Sequence, residues 1–271
     1  PIIVIVPLSF NAEPYFTFTR DMLALDPDGF SLRWYDRLLT YGMTAPDAVR
    51  DGAWWADAWA NSQWIHAAKN SFTIGISSTL IATALGTLAA LGLSRPEMPF
   101  RRAVMALLIS PMIVPMIISA TGLFFFYSKA GLAHTYVGIV LAHAMLGIPF
   151  VIITVTATLA GFDRSLIHAA ASLGASPVTT FRKVILPLIL PGVISGALFA
   201  FVTSFDEVVV VLFVASYDQQ TIPLQMWNGI REQISPTILA AATILVLFSI
   251  ALLTTLELLR RRTERLRGLA G

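Results

Sequence analysis

Apolar residues in this chain gather into long, nearly unbroken stretches rather than alternating with polar ones. Five stretches of about 20 or more mostly apolar residues occupy 71–94, 103–127, 136–161, 184–204 (or as far as 215) and 237–259. A helix needs about 20 apolar residues to cross the hydrocarbon of a bilayer. Only helices and closed barrels satisfy their backbone in lipid, and these stretches lack the two-residue alternation of barrel strands. Each is predicted to be a spanning helix. The opening Pro1-Ile2-Ile3-Val4-Ile5-Val6-Pro7-Leu8-Ser9-Phe10 is apolar but short. Ten helical residues rise about 15 Å, half of a core of about 30 Å. It is expected to be the outer end of a first span that begins before Pro1. The fold class expected is an all-α polytopic membrane protein with six transmembrane helices, the first truncated at its N-terminal side.

Composition sharpens this reading. The 271 residues are 56% hydrophobic and 13% charged, with a mean hydropathy of +0.74. Soluble domains carry about 25% charged residues, so too little polar surface exists here to coat a water-soluble globule. A net charge of +2 gives no nucleic-acid signal, and the absence of cysteine excludes disulfides and thiolate sites. The basic residues are sorted by loop. Arg95, Arg101, Arg102, Arg164, Arg182, Lys183, Arg260, Arg261, Arg262, Arg265 and Arg267 fall on one side, against Lys129 and Arg231 in the short loops of the other. Basic short loops stay cytoplasmic, which predicts both termini inside. Residues 11–70, too long for that rule, are expected outside.

That outer segment has a turn signal at Asp26-Pro27-Asp28-Gly29 and helical spacing from Ser31 to Leu39. Trp54, Trp55, Trp59 and Trp64 follow; Trp55 and Trp59, four apart, share a helix face. The segment reads as an interfacial helix, with a docking surface for an external partner as the alternative. Ala82, Gly86 and Ala90 recur every four residues, which suits close helix packing in lipid. Pro111, Pro115, Pro149, Pro187 and Pro191 are expected to break or bend their helices. No repeat or linker divides the chain, so 1–271 reads as a single transmembrane domain.

Residues 162–183 form a long loop on the basic side. Asp163 and Ser165 can cap a short helix over 166–173, and Gly174 suits its left-handed end. Ser176-Pro177 then starts a second helix. Most connections need only about 4–6 residues. Local physics leaves both a docking hook and an idle loop open.

The stretch HAAASLGASPVTTFRKVILP, residues 168–187, closely resembles the EAA loop of the permease subunits of bacterial ABC importers. That pattern is Glu-Ala-Ala, a glycine four residues later, and an Ile-x-Leu-Pro-like close. Ala169, Ala170 and Gly174 match it, as does Val184-Ile185-Leu186-Pro187. His168 stands where the family has glutamate, so a carboxylate contact to the partner is not carried over. Ser204-Phe205-Asp206-Glu207-Val208-Val209-Val210, Ile222-Pro223-Leu224-Gln225-Met226-Trp227 and Ile234-Ser235-Pro236-Thr237 resemble the spermidine/putrescine branch. The resemblance covers nearly the whole chain, though the region from Met43 to Trp64 is longer than the usual pattern.

The resemblance implies a type I ABC importer permease fold in the bacterial inner membrane, with 11–70 periplasmic. The loop would be a cytoplasmic coupling helix seated in a cleft of an ATPase, with His168, Ala169, Ala170, Ser172, Leu173, Gly174, Ala175 and Ser176 as its contact residues. Implied partners are two ABC ATPase subunits, a second homologous permease or a second copy, a periplasmic solute-binding protein and membrane lipid. The implied cargo is a polyamine; a modified amino acid or an opine is the alternative, and an ATP-independent secondary transporter the rival class.

Asp206 and Glu207 are the acidic residues deep in an apolar run. A charge there costs about 2.5–3.5 kcal/mol on insertion scales. They read as a cap or an ion pair with Lys129 or Arg231, or as an anionic pathway lining with Phe205 and Trp227 as aromatic neighbours for a cation. His143 reads as an interhelical hydrogen bond, with a proton relay as the alternative; Glu257 reads as an ion pair with Arg260 and Arg261. There is no G-x-x-x-x-G-K-[ST] loop, nucleophile elbow or H-E-x-x-H. The chain is expected not to be an enzyme and to bind no cofactor, ATP and Mg being held by partner subunits.

Overall fold

The computed structural model describes residues 2–163, 165–232 and 235–266. Of the residues singled out above, Pro1, Arg164, Ile234 and Arg267 lie outside these, as do the side chains of Glu257, Arg260, Arg261, Arg262 and Arg265.

The regular elements are helical. In chain order they are α1 (Ile2–Leu8), α2 (Arg20–Leu23), α3 (Arg33–Thr40), α4 (Gly52–Asn61), α5 (Gln63–Leu93), α6 (Arg101–Ile113) and α7 (Met116–Ala130). There follow α8 (Tyr136–Ala160), α9 (Ser165–Ser172), α10 (Pro177–Thr180), α11 (Leu186–Phe205), α12 (Val209–Val214), α13 (Ile222–Glu232) and α14 (Thr237–Leu266). Among the described residues, four stretches are long and apolar enough to cross a membrane: α5, α8, Pro177–Phe205 and Thr237–Thr254. The pair α6 and α7 makes a fifth if taken as one broken span.

Three boundaries differ from the sequence reading. The stretch 103–127 is not one straight span, because α6 and α7 meet at 101°. Val114 and Pro115 both take extended backbone, ψ 131° and 129°. A residue before proline is pushed out of the helical region, as Val114 is, so the break expected at Pro115 is present. Pro111, Pro149 and Pro191, by contrast, sit inside continuous helices. Pro187 lies in the first turn of α11, and the preceding turn Phe181–Ile185 widens to π-type, with the Leu186 N–H donating to the Phe181 carbonyl. Second, α5 starts at Gln63, two turns before the predicted 71. Third, the fourth stretch does not continue to 215: α11 ends at Phe205 and α12 is a separate helix.

Contacts divide the chain into two compact units. In the unit Asn70–Gln220, α8 is gripped by two stripes of small residues. Ser78, Ala82, Gly86 and Ala90 line α5; Gly192, Gly196, Ala200 and Ser204 line α11, and all are buried. A Cβ on Gly86 would lie 2.7 Å from Val151 Cβ, and one on Gly196 would lie 2.8 Å from Val151 Cα. On α8 itself, a Cβ on Gly147 would lie 2.8 Å from Ala200 Cβ and 3.2 Å from Ala82 Cβ. Without a hydrophobic drive between helices in lipid, such close backbone approach supplies the packing. The Ala82, Gly86 and Ala90 spacing therefore does what its period suggested.

In the other unit, built from residues up to Lys69 and from Thr221 onward, α1 and α3 both pack on α14. The Ser9 and Tyr35 hydroxyls lie 2.7 Å apart, and Trp34 Nε1 donates to the Asn11 carbonyl at 2.7 Å. These bonds tie α3 to the exit of α1. On α4, Asp51 caps the first turn by accepting from the Trp54 N–H at 2.9 Å. Trp54 is buried, its Nε1 donating to the Pro46 carbonyl, while Trp55 and Trp59 share the exposed face.

Candidate functional site

The loop between α8 and α11 folds as the sequence signals direct. Asp163 accepts from the Ser165 N–H at 2.9 Å and so caps α9. That amide and the Ser165 hydroxyl hold the Asp163 carboxyl below the usual carboxylate range. At the far end of α9, Gly174 has φ +78°. Its N–H donates to the Ala171 carbonyl at 2.9 Å, and the Ala175 N–H reaches back to the Ala170 carbonyl at 3.0 Å. This nested pair is a Schellman closure, which needs a left-handed residue at the corner. Ser176 then caps α10 by accepting from the Thr179 N–H, with Pro177 in the first turn.

The hook presents its side chains outward. No residue of α9 is buried. His168, Ala169, Ser172, Gly174 and Ser176 are exposed, and Ala170 and Ala175 are half-buried. Leu173 is 88% exposed and Val178 65%. Two such apolar side chains flanking a rigid corner form a knob that only a covering surface would bury. Behind it, α9 packs back on α10 and on the Phe181–Ile185 turn, so the hook is continuous with the base of α11.

The pathway candidates separate. Glu207 is buried and its two oxygens accept from the Val209 N–H at 2.9 Å and the Val210 N–H at 2.7 Å. It caps α12, the structural option of the sequence reading. A carboxylate at a helix start also meets the positive end of the helix dipole. Asp206 is exposed at the end of α11. Beside it, the Phe205 ring lies 5.3 Å from both Phe72 and Phe201. Gly75 admits this cluster, since a Cβ there would stand 3.1 Å from the Phe201 ring. Trp227 belongs to the other unit, half-exposed on α13.

Sequence reasoning missed the α11 stripe and the polar chain built on it. His143 Nδ1 lies 2.7 Å from the Ser204 hydroxyl, itself 3.0 Å from the Ser78 hydroxyl. The interhelical bond expected of His143 is present, and Ser78 and Ser204 extend it to a third helix. The four-residue spacing of Gly192, Gly196, Ala200 and Ser204 was the available signal.

Residues 82–265 match the family described as "Binding-protein-dependent transport system inner membrane component". The spermidine/putrescine transport system permease protein PotC of Haemophilus influenzae is 34% identical over 264 residues, covering 97% of this chain and 92% of that protein. PotC of Escherichia coli strain K12 is 30% identical over 271 residues, covering 100% and 91%. A crystal structure of a bacterial ABC transporter involved in the import of the acidic polysaccharide alginate shares the fold. Its TM-score is 0.63 at 18% identity, over 96% of this chain and 89% of that one. This chain therefore belongs to the binding-protein-dependent transport system inner membrane components, as a multi-pass permease subunit of an ABC importer and not an enzyme.

Proposed function

We propose that the chain forms half of the translocation pathway of an ATP-driven polyamine importer and carries, between α8 and α11, the hook on which its motor acts. The exposed, doubly capped hook is the observation that carries this reading. Its corner is fixed by backbone hydrogen bonds, so a push on α9 passes through the Phe181–Ile185 turn into α11. There the Gly192–Ser204 stripe transmits it to α8. Burying Leu173 in a partner cleft would contribute on the order of 1.5–3 kcal/mol.

The basic loops support a cytoplasmic hook and cytoplasmic termini, with α1 as part of a sixth span. The complex would comprise a second permease, two ATPase subunits that hold ATP and Mg, and a periplasmic binding protein that delivers the solute. The polyamine cargo is supported by the names of the two near-full-length relatives. It suits Asp206 beside the Phe205 cluster, since a carboxylate and ring faces both attract an ammonium group. The coupling residues would be His168, Ala169, Ala170, Ser172, Leu173, Gly174, Ala175 and Ser176.

Reconstitution in vesicles with the ATPase and the binding protein tests this. Labelled spermidine and putrescine should accumulate only with ATP. Accumulation of an opine or amino-acid derivative instead would overturn the cargo, and uptake without the ATPase would overturn the motor.

A further inference from the structure

Away from the hook, α3 lines a positively charged cleft. Pro14, Arg33, Trp34, Asp36, Arg37 and Thr40 line a cleft of about 440 Å³. Arg33 and Arg37 are one turn apart and so project from one face. Each guanidinium is set against a ring, Arg33 at 4.3 Å from the Trp34 centroid and Arg37 at 6.0 Å from that of Tyr41. A ring face attracts a guanidinium through cation–π contact without using its N–H donors. The acidic residue of the cleft, Asp36, is paired with Arg50. Among the described residues, neither Arg33 nor Arg37 has an acidic partner.

Two guanidinium groups in one cleft call for an anion with several oxygens, and phosphate fits their donor forks. The surroundings decide what kind of phosphate. Tyr15 follows Pro14 at the rim and is 63% exposed, and Leu32 precedes Arg33 and is 66% exposed. A free phosphate has no use for an apolar rim; an amphiphile does. Moreover α3 packs on α14, whose Thr237–Thr254 stretch is long and apolar enough to cross a membrane. We propose that this cleft binds the phosphate of a membrane phospholipid, with its acyl chains along the exposed apolar residues beside it. The site would anchor the segment before α4 to the bilayer boundary, a role separate from transport.

Native mass spectrometry of the full-length protein, delipidated in mild detergent, tests it. Dioleoylphosphatidylglycerol should bind, diacylglycerol lacking the phosphate should not, and millimolar inorganic phosphate should leave the lipid in place. Arg33→Gln with Arg37→Gln should weaken lipid binding at least about tenfold, and Arg20→Gln should not change it. Should the double variant fail to fold, Arg33→Lys with Arg37→Lys keeps the charge but loses the planar fork, and should weaken binding about threefold. Unchanged lipid affinity in the variant that folds overturns the proposal. So does displacement of the lipid by phosphate alone, equal binding of diacylglycerol, or a loss confined to docking of the soluble binding protein.

Discussion

His143 on α8 and Ser204 on α11 are joined by a 2.7 Å hydrogen bond at the centre of the helix packing. Ser78 on α5 lies 3.0 Å from the same hydroxyl and 3.1 Å from the Gly75 carbonyl. A carbonyl only accepts. Ser78 donates to Ser204 and shares that proton with the Gly75 carbonyl. Ser204 in turn donates to His143 Nδ1, which puts the imidazole proton on Nε2, a buried atom with no partner.

The two ends of this chain should respond unequally. Ser204→Ala leaves His143 Nδ1 buried without a donor and takes away the hydroxyl that Ser78 donates to, at a cost of about 1–3 kcal/mol. His143→Leu removes both imidazole nitrogens and leaves the serine pair intact. Interhelical hydrogen bonds in membranes average only about 0.6 kcal/mol, so this variant should lose less. Thermal unfolding of the purified protein in detergent should rank Ser204→Ala below His143→Leu; the opposite order would contradict the network.

Gly174 tests the hook. Nothing lies within 4 Å of a Cβ built there, so a side chain meets no clash and the only penalty is its φ of +78°. For a β-branched residue the left-handed region costs roughly 1–2 kcal/mol. Gly174→Val should therefore open the corner, reducing both stimulation of the ATPase and uptake while the melting temperature of the span bundle holds. Gly174→Asn, which tolerates that region better, should be milder. Full coupling in the valine variant would remove the corner from the mechanism.

What could be read from the sequence follows the range of the interactions. The hook was legible because Asp163, Gly174 and Ser176-Pro177 act on neighbours a few residues away. Apolar length revealed the spans. Apolar length alone was blind to backbone breaks: Pro115 marked one correctly, Pro111, Pro149 and Pro191 did not interrupt their helices, and the break at Asp206-Glu207 left the 184–204 stretch open as far as 215. The first two turns of α5 were hidden for the opposite reason: Gln63, His66, Lys69 and Asn70 make a helical stretch look like loop. The four-residue spacing marks Ser204 as part of a packed stripe, but that it meets Ser78, far away in sequence, leaves no local trace.

The glycine stripe of α11 should tolerate no side chain. At Gly196 a Cβ would stand 2.4 Å from Thr154 Oγ1 and 2.8 Å from Val151 Cα, and backbone cannot swing aside. Gly196→Val should destabilise by about 1–3 kcal/mol or more, the usual cost of overpacking. Gly122 on α7 has open space around it, so Gly122→Ala should leave the melting temperature level or slightly raised. Equal behaviour of the two variants would mean that α8 and α11 are not held at this distance.

Adjacent acids should prove to have different work. Glu207 spends both oxygens on α12, so Glu207→Ala should cost about 0.5–2 kcal/mol, as loss of a helix cap does. Hydrogen exchange should show faster opening of Val209–Val214, with the rest of the bundle protected. Asp206 caps nothing through its side chain and is exposed, so Asp206→Asn should leave stability within about 0.5 kcal/mol. If its charge attracts the passing cation, the same variant should lower spermidine uptake about tenfold, equivalent to roughly 1.4 kcal/mol. Normal uptake with Asn at 206 would take that carboxylate out of the pathway. Unaltered exchange in Glu207→Ala would show that the α12 amides do not depend on it.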